Sequence, residues 1–397
     1  MNNLELYAKN GCLKKIKKLI QNGVDVTSNN NAMGLAAENG HLEIVEFLIE
    51  NGTDITNEDN LAMRLAIKNN HLEIVKLLIL HGADITSNDN YALRCASFYG
   101  YLEIIELLIK NGVNIDIGAE DGFALELALR NGYLKIVEFF IKNGADVTIE
   151  NNYAIKKASE MGYTEIVKLL IQNGADITAQ NNYAIRSASK FGHTEIVKLL
   201  IQNGVDVAAN DNFSIRKASK SGHNEIVKLL IQSGADVTAN DNYAIKKASK
   251  SGHAKIVKLL IENGADITAD DNYPIRLAAE NGHLQVVKLL IENGADITAD
   301  DNYSIGIAAE NGHTQIVKLL IENGEDITTL LKDFTIIEAS SYGHLEIVKL
   351  LIENGADVTV KNNLSIILAS KNGHLEIVKL LIENGADVTV QNNLPII

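Results

Sequence analysis

Residues 241–270 read DNYAIKKASKSGHAKIVKLLIENGADITAD, and this stretch decides the fold. Its second half is a pattern met all along the chain. In an early copy, Leu42, Val45, Leu48 and Ile49 fall at the 3.6-residue helical period, with Ile44 widening the stripe. Glu43 and Glu46, or Glu73 and Lys76 one copy later, mark the narrow wet strip. A helix that is apolar around most of its circumference needs neighbours on two sides, and a stacked array supplies them. The first half predicts another helix, with paired small residues at Ala36-Ala37, Ala188-Ser189 and Ala278-Ala279 that let neighbouring helices approach closely.

The glycine between the two helices recurs at Gly132, Gly162, Gly192, Gly222, Gly252, Gly282 and Gly312, a period of 30. Gly11, Gly40, Gly100, Gly343 and Gly373 hold the same place, and Asn70 fills the remaining slot, which makes thirteen units. Small insertions interrupt the beat near Gly118–Glu120 and Leu330–Lys332. A second glycine, as in Gly174, Gly264 and Gly294, follows each second helix where the chain must turn left-handed, which glycine does cheaply. The next Ile or Val, such as Ile177 or Val237, is expected to tuck under the helices while Asp176 or Asp236 faces the loop.

These features predict an all-α fold, an elongated and curved α-solenoid of about thirteen stacked helix-turn-helix repeats. At a helix spacing of ~10 Å the stack is on the order of 130 Å long. Residues 1–397 read as one domain: a capping repeat over 1–30, twelve repeats over 31–390, and the start of an incomplete repeat over 391–397. Lys14, Lys15, Lys17 and Lys18 give the first unit a polar outer side. Leu394, Pro395, Ile396 and Ile397 leave two expectations at the other end: a segment folded over the last helix pair, or self-association of an otherwise monomeric chain.

Bulk composition agrees with one unit copied many times: 397 residues hold no Trp, two Pro and 29 Gly. Cys12 and Cys95 cannot build a disulfide framework, which predicts a reducing, cytoplasmic setting. No secretory leader is visible, and no apolar run approaches the ~18 residues of a membrane span. The net charge of −15 weighs against indiscriminate nucleic-acid binding.

The run Gly343-His344-Leu345-Glu346-Ile347-Val348-Lys349-Leu350-Leu351-Ile352, followed by Asn354-Gly355-Ala356-Asp357, resembles the second half of an ankyrin repeat, and variants of it cover essentially the whole chain. The usual ankyrin unit has about 33 residues and opens its first helix with Thr-Pro-Leu-His. Here the period is 30, the opening reads Tyr-Ala-Ile-Arg at Tyr183 or Tyr-Pro-Ile-Arg at Tyr273, and proline appears only at Pro274 and Pro395. Aligning the glycines puts the deficit in the loop that normally forms a projecting β-hairpin, so shortened fingers with little or no strand are expected. The abundance of Asn, Ile and Lys is similar to that of ankyrin proteins from giant amoeba-infecting DNA viruses. That resemblance implies a host protein as partner and the host cytoplasm as location.

Nine histidines (His41, His71, His193, His223, His253, His283, His313, His344 and His374) share one position after the inter-helix turn. A metal ladder there fails on spacing, because repeats stack about 8–10 Å apart while zinc ligands sit ~2 Å from the ion. Tyr101, Tyr133 and Tyr163 take the same place, so a structural turn role is expected. Tyr91, Phe123, Tyr153, Tyr183, Phe213, Tyr243, Tyr273, Tyr303 and Phe334 line up at the first-helix starts, where they are expected to cover apolar surface rather than form a base-stacking platform.

Charge divides the chain unevenly. Asn151 to Leu260 carries 15 Lys and Arg against 9 Asp and Glu, a net of +6, while Ile261 to Thr328 carries 3 against 13, a net of −10. The basic excess includes Lys156, Lys157, Arg186, Lys190, Arg216, Lys217, Lys220, Lys246, Lys247 and Lys250 on first helices, which form the concave wall in the family resembled. Its two readings are a drifted solvated surface and a stripe that steers an acidic partner. The two residues before the inter-helix glycine are exposed on that wall in ankyrin repeats. Most copies are polar there, as in Glu280-Asn281 and Glu310-Asn311, but Phe98, Tyr99, Met161, Phe191 and Tyr342 break the rule and are candidate partner contacts.

Motifs of metalloproteases, phosphate loops, nucleophile elbows and paired-cysteine zinc sites are missing, so no catalytic residue, metal or cofactor is assigned. The function expected is a non-enzymatic scaffold that docks a protein along the concave first-helix face. The alternative is an RNA- or anionic-surface-binding module using the basic stripe of residues 151–260.

Overall fold

The structure, a computed structural model, describes residues 2–27, 30–113, 123–324 and 333–389; both insertions and the incomplete repeat from residue 391 lie outside them. Those residues form 26 α-helices and no strand, in the alternating pairs that the 30-residue beat predicts. The chain divides into two compact units, Met1–Ala184 and Ile185–Ile397. Within each unit, first helices press on one another far more extensively than second helices do, so each stack is drawn tighter along its first-helix side.

One pair shows how the residues build the unit. In the second helix Ala254–Glu262, Ile256, Val257 and Leu260 are fully buried, each contributing about 1.5–3 kcal/mol by leaving water. The helix stops because Gly264, at φ +91°, bends the chain left-handed; its N–H donates to the Ile261 carbonyl at 3.0 Å and the Ala265 N–H donates to Leu260 at 3.0 Å. The Asn263 side chain donates to the Leu259 carbonyl at 2.8 Å, satisfying another terminal acceptor. The first helix, Ala239–Lys250, ends the same way at Gly252, with His253 N–H donating to Ala248 at 3.0 Å.

Two ladders join each pair to the next. The His253 ring presents Nε2–H to the Lys220 carbonyl of the preceding pair at 3.1 Å, and His283 reaches Lys250 at 2.9 Å. A carbonyl can only accept, so any side chain that delivers a donor there suffices. Tyr163 does so with its hydroxyl, 3.0 Å from the Arg130 carbonyl, which is why tyrosine replaces histidine without disturbing the beat. The histidine Nε2 atoms are thus occupied by backbone, as a structural turn role requires, and among the described residues no group of three or more His, Cys, Asp or Glu could hold a metal.

The second ladder runs through the fingers. Asn240, Asp241 and Asn242 take φ of 54°, 53° and 58° in succession, one left-handed turn before the right-handed helix resumes at Tyr243. The same turn recurs from Glu150 to Asn152, Asn210 to Asn212, Asp270 to Asn272 and Lys361 to Asn363. Asn and Asp tolerate this region better than other side chains with a Cβ. The closing Asn accepts from the next finger at five of these turns, as where Asp266 N–H donates to Asn242 Oδ1 at 2.8 Å and Asp236 to Asn212 at 2.8 Å, whereas the Asn182 Oδ1 is buried without such a partner. The Asp carboxylate in turn accepts from the amide and hydroxyl of the Thr two residues on, as at Asp266 and Thr268. Val237 is buried and Asp236 exposed, as expected, whereas Ile177 is only half-buried.

At the first pair, Lys14, Lys15, Lys17 and Lys18 are exposed around a buried Ile16, and the Lys17 ammonium lies 5.1 Å from the Phe47 ring of the next pair. Inside the stacks, Ser159, Ser219 and Ser249 have buried hydroxyls without a hydrogen-bond partner, while Ala279 and Ala309 fill the same position. Ser219→Ala is therefore expected to raise stability by about 1 kcal/mol. The urea midpoint of the full chain checks this, and a fall of that size contradicts it.

Candidate functional site

The eight cations expected to form a basic stripe from Arg186 to Lys250 separate into two kinds. Arg216 is half-buried, its guanidinium 5.9 Å from the Phe213 ring centroid and 5.4 Å from Tyr243, and it donates to the Asn210 carbonyl at 3.2 Å. It therefore braces the finger as well as the rings. Arg186 lies 4.9 Å from Phe213, Lys217 5.1 Å from Phe213 and Lys247 5.2 Å from Tyr243. Lys246 pairs with Asp270 of the following finger at 2.5 Å. Such ring contacts contribute about 0.5–1 kcal/mol each near the surface. Lys190, Lys220 and Lys250 differ: they are exposed at the first-helix ends, one per repeat, with the Lys190 ammonium 4.7 Å from the Phe191 ring.

The ring row is thus explained by a partner that the charge count did not reveal. Tyr153, Tyr183, Phe213 and Tyr243 are half-buried, and the Lys156 ammonium lies 5.8 Å from Tyr153 and 5.3 Å from Tyr183. The side chain of Phe123 is outside the described residues.

Phe98, Tyr99, Met161, Phe191 and Tyr342 all stand exposed at the ends of first helices, from 37% for Tyr99 to 55% for Tyr342. In the first unit, Phe98 meets Tyr99 edge-on at 5.0 Å and Tyr99 stacks on Tyr101 at 5.7 Å, a three-ring cluster. In the second, Phe191 and Tyr342 each lie about one ring away from the turn histidine, 6.4 Å from His193 and 6.5 Å from His344. Burial first, then the Tyr99 and Cys95 groups, pushes the Tyr101 phenol above its usual range.

A family model described as ankyrin repeats (3 copies) matches residues 4–89, 87–151, 155–241, 215–301 and 305–392. The chain belongs to the ankyrin-repeat family. No curated protein gives a match. Ankyrin repeats are generally protein–protein interaction modules and typically non-enzymatic scaffolds. No helix among the described residues is long and apolar enough to cross a membrane. Cys12 and Cys95 are both free thiols, and burial holds the Cys95 thiol above its usual range.

Against the usual ankyrin unit, the repeats of this chain replace a hairpin with a left-handed turn and tie it down from two sides, by the Asn ladder and by cations such as Arg216. The residues responsible, Asn152, Asn212, Asn242, Asn272 and Asn363, were not singled out by composition or motif. Their signal is their place just before the opening residue of the copy, Tyr153, Phe213, Tyr243, Tyr273 or Leu364.

Proposed function

We propose that these ankyrin repeats dock protein along their first-helix faces, with Phe98, Tyr99 and Met161 as apolar anchors in the first unit, Phe191 and Tyr342 in the second, and the exposed lysines as steering charges. The carrying observation is that large apolar side chains stand in solvent at positions where sister repeats keep Glu280-Asn281 and Glu310-Asn311. Exposed aromatic clusters of this kind supply most of the energy at protein interfaces, while rim charges set the association rate.

An anionic-surface or RNA role draws less support, because Arg186, Arg216, Lys217, Lys246 and Lys247 already serve rings or Asp270. The test is capture by the immobilised full chain, compared with a Phe98→Ala/Tyr99→Ala/Phe191→Ala variant. Retention of bound protein is expected to fall roughly tenfold or more with the melting temperature nearly unchanged. Equal retention, or a large fall in melting that marks the rings as core, contradicts the reading. Tight polyuridylate binding with a steep salt dependence favours the anionic role instead.

A further inference from the structure

In the second unit an arginine three residues after the opening ring reaches the ring of the next repeat at three steps, while Lys246 pairs with Asp270 instead and Ile337 follows Phe334. Arg186 lies 4.9 Å from Phe213, Arg216 5.4 Å from Tyr243 and Arg276 5.0 Å from Tyr303. At the next step the cation is missing. Gly306 holds that place inside the helix Ala299–Glu310, and a Cβ added there would meet no atom within 4 Å. The two rings that should flank a side chain at this point, Tyr303 and Phe334, are 40% and 49% exposed, whereas Phe213 and Tyr243 are half-buried. Phe334 already accepts one cation in its own stack, with the Lys361 ammonium 3.1 Å from its centroid. Further up, Phe213 takes three, Arg186, Arg216 and Lys217, Tyr243 takes two, Arg216 and Lys247, and Tyr273 takes Arg276 alone.

The surroundings are negative and uncompensated. Asp270 and Asp300 pair with Lys246 and Arg276, but no ion pair involves Glu310 or Glu338 among the described residues. Glu310 is one helical turn from Gly306. Burial, then the Glu310 charge, pushes the Glu338 carboxyl up, and burial with Glu280 and Glu310 does the same to the Tyr303 phenol. This gap sits in the stretch from Ile261 to Thr328 that carries a net of −10.

We propose that the Gly306 gap is a slot for an arginine side chain of the docked protein, its guanidinium laid between Tyr303 and Phe334 and neutralised by Glu310 and Glu338. The slot rests on the reading that a protein docks on the first-helix wall. Arginine fits better than lysine because a planar guanidinium stacks on ring faces, and Arg186, Arg216 and Arg276 already do so in the preceding repeats.

The probe is a fluorescein-labelled hexa-arginine peptide titrated into the full chain, with hexa-lysine as the second peptide. Gly306→Arg supplies the missing cation within the chain and Gly306→Leu fills the gap without charge. Both are expected to weaken hexa-arginine binding about tenfold or more, the size of a desolvated cation–ring contact, with melting unchanged or raised. Phe334→Ala empties one side of the slot and weakens binding similarly, which covers the case of a filled slot disturbing the helix. Glu322→Gln, on an exposed second-helix position, matches the charge change of Gly306→Arg and is expected to alter binding less than about threefold. Hexa-arginine binding within threefold of the unmodified chain for Gly306→Leu and Phe334→Ala overturns the slot, and equal binding of hexa-lysine overturns the choice of arginine. The docking wall fails separately, since its alanine series at Phe98, Tyr99 and Phe191 leaves Gly306 untouched.

Discussion

Gly222→Ala is expected to destabilise the chain by about 3 kcal/mol or more, against about 1–2 kcal/mol for Gly234→Ala. Both glycines are left-handed, at φ +83° and +92°, so both substitutions meet the same backbone penalty. They differ in what lies above them. A Cβ at Gly234 meets nothing within 4 Å, whereas at Gly222 it arrives 2.8 Å from Cε1 of His253. That ring cannot swing aside without giving up its bond to the Lys220 carbonyl at 3.1 Å. Urea midpoints of the two variants, followed by circular dichroism, measure the difference. Equal losses would mean that the histidine yields freely and does not couple one repeat to the next.

Asn212→Val is expected to cost about 2–4 kcal/mol, the sum of a β-branched residue forced to positive φ and a lost hydrogen bond. Asn212 closes a left-handed turn at φ 56° and its Oδ1 accepts the Asp236 N–H at 2.8 Å. Asn212→Asp keeps both an acceptor and a side chain that tolerates the conformation, so its loss should stay below about 1 kcal/mol. Amide exchange at Asp236 reports the bond directly: protection is lost in the Val variant and kept in the Asp variant. A Val variant with full protection and an unchanged midpoint removes the Asn ladder from the forces joining the fingers.

What could be read from the residues alone follows from how local each constraint is. The inter-helix glycines and the stripe of Ile256, Val257 and Leu260 are dictated by backbone sterics and helical period, so pairing, repeat length and the strandless finger are legible without coordinates. The path of the finger is not. Asn and Asp permit a left-handed turn but also sit in many others, so Asn240-Asp241-Asn242 predicts only a short loop until its bond to Asp266 is seen. The basic stripe was legible as charge and illegible as structure. Arg216 serves a ring 27 residues on, Tyr243, and that separation emerges only once the rise and rotation between repeats are known. The exposure of Phe98, Phe191 and Tyr342 follows from their register just before the inter-helix glycine. The Gly306 gap needed the structure, because a missing side chain becomes visible only against the occupied positions of Arg216 and Arg276.

Beneath all of this lies one claim: each helix pair is held by contacts to its immediate neighbours, with the turn histidine of one pair seated on the glycine of the last. A double-mutant cycle between Gly222→Ala and His253→Ala measures it. Truncating the histidine removes the clash, so the combined loss should fall short of the sum by about 1 kcal/mol or more, while the pairing of Gly222→Ala with His313→Ala, two repeats further on, should add within about 0.5 kcal/mol. Strict additivity in the first cycle, or equal coupling in the second, would contradict a nearest-neighbour stack.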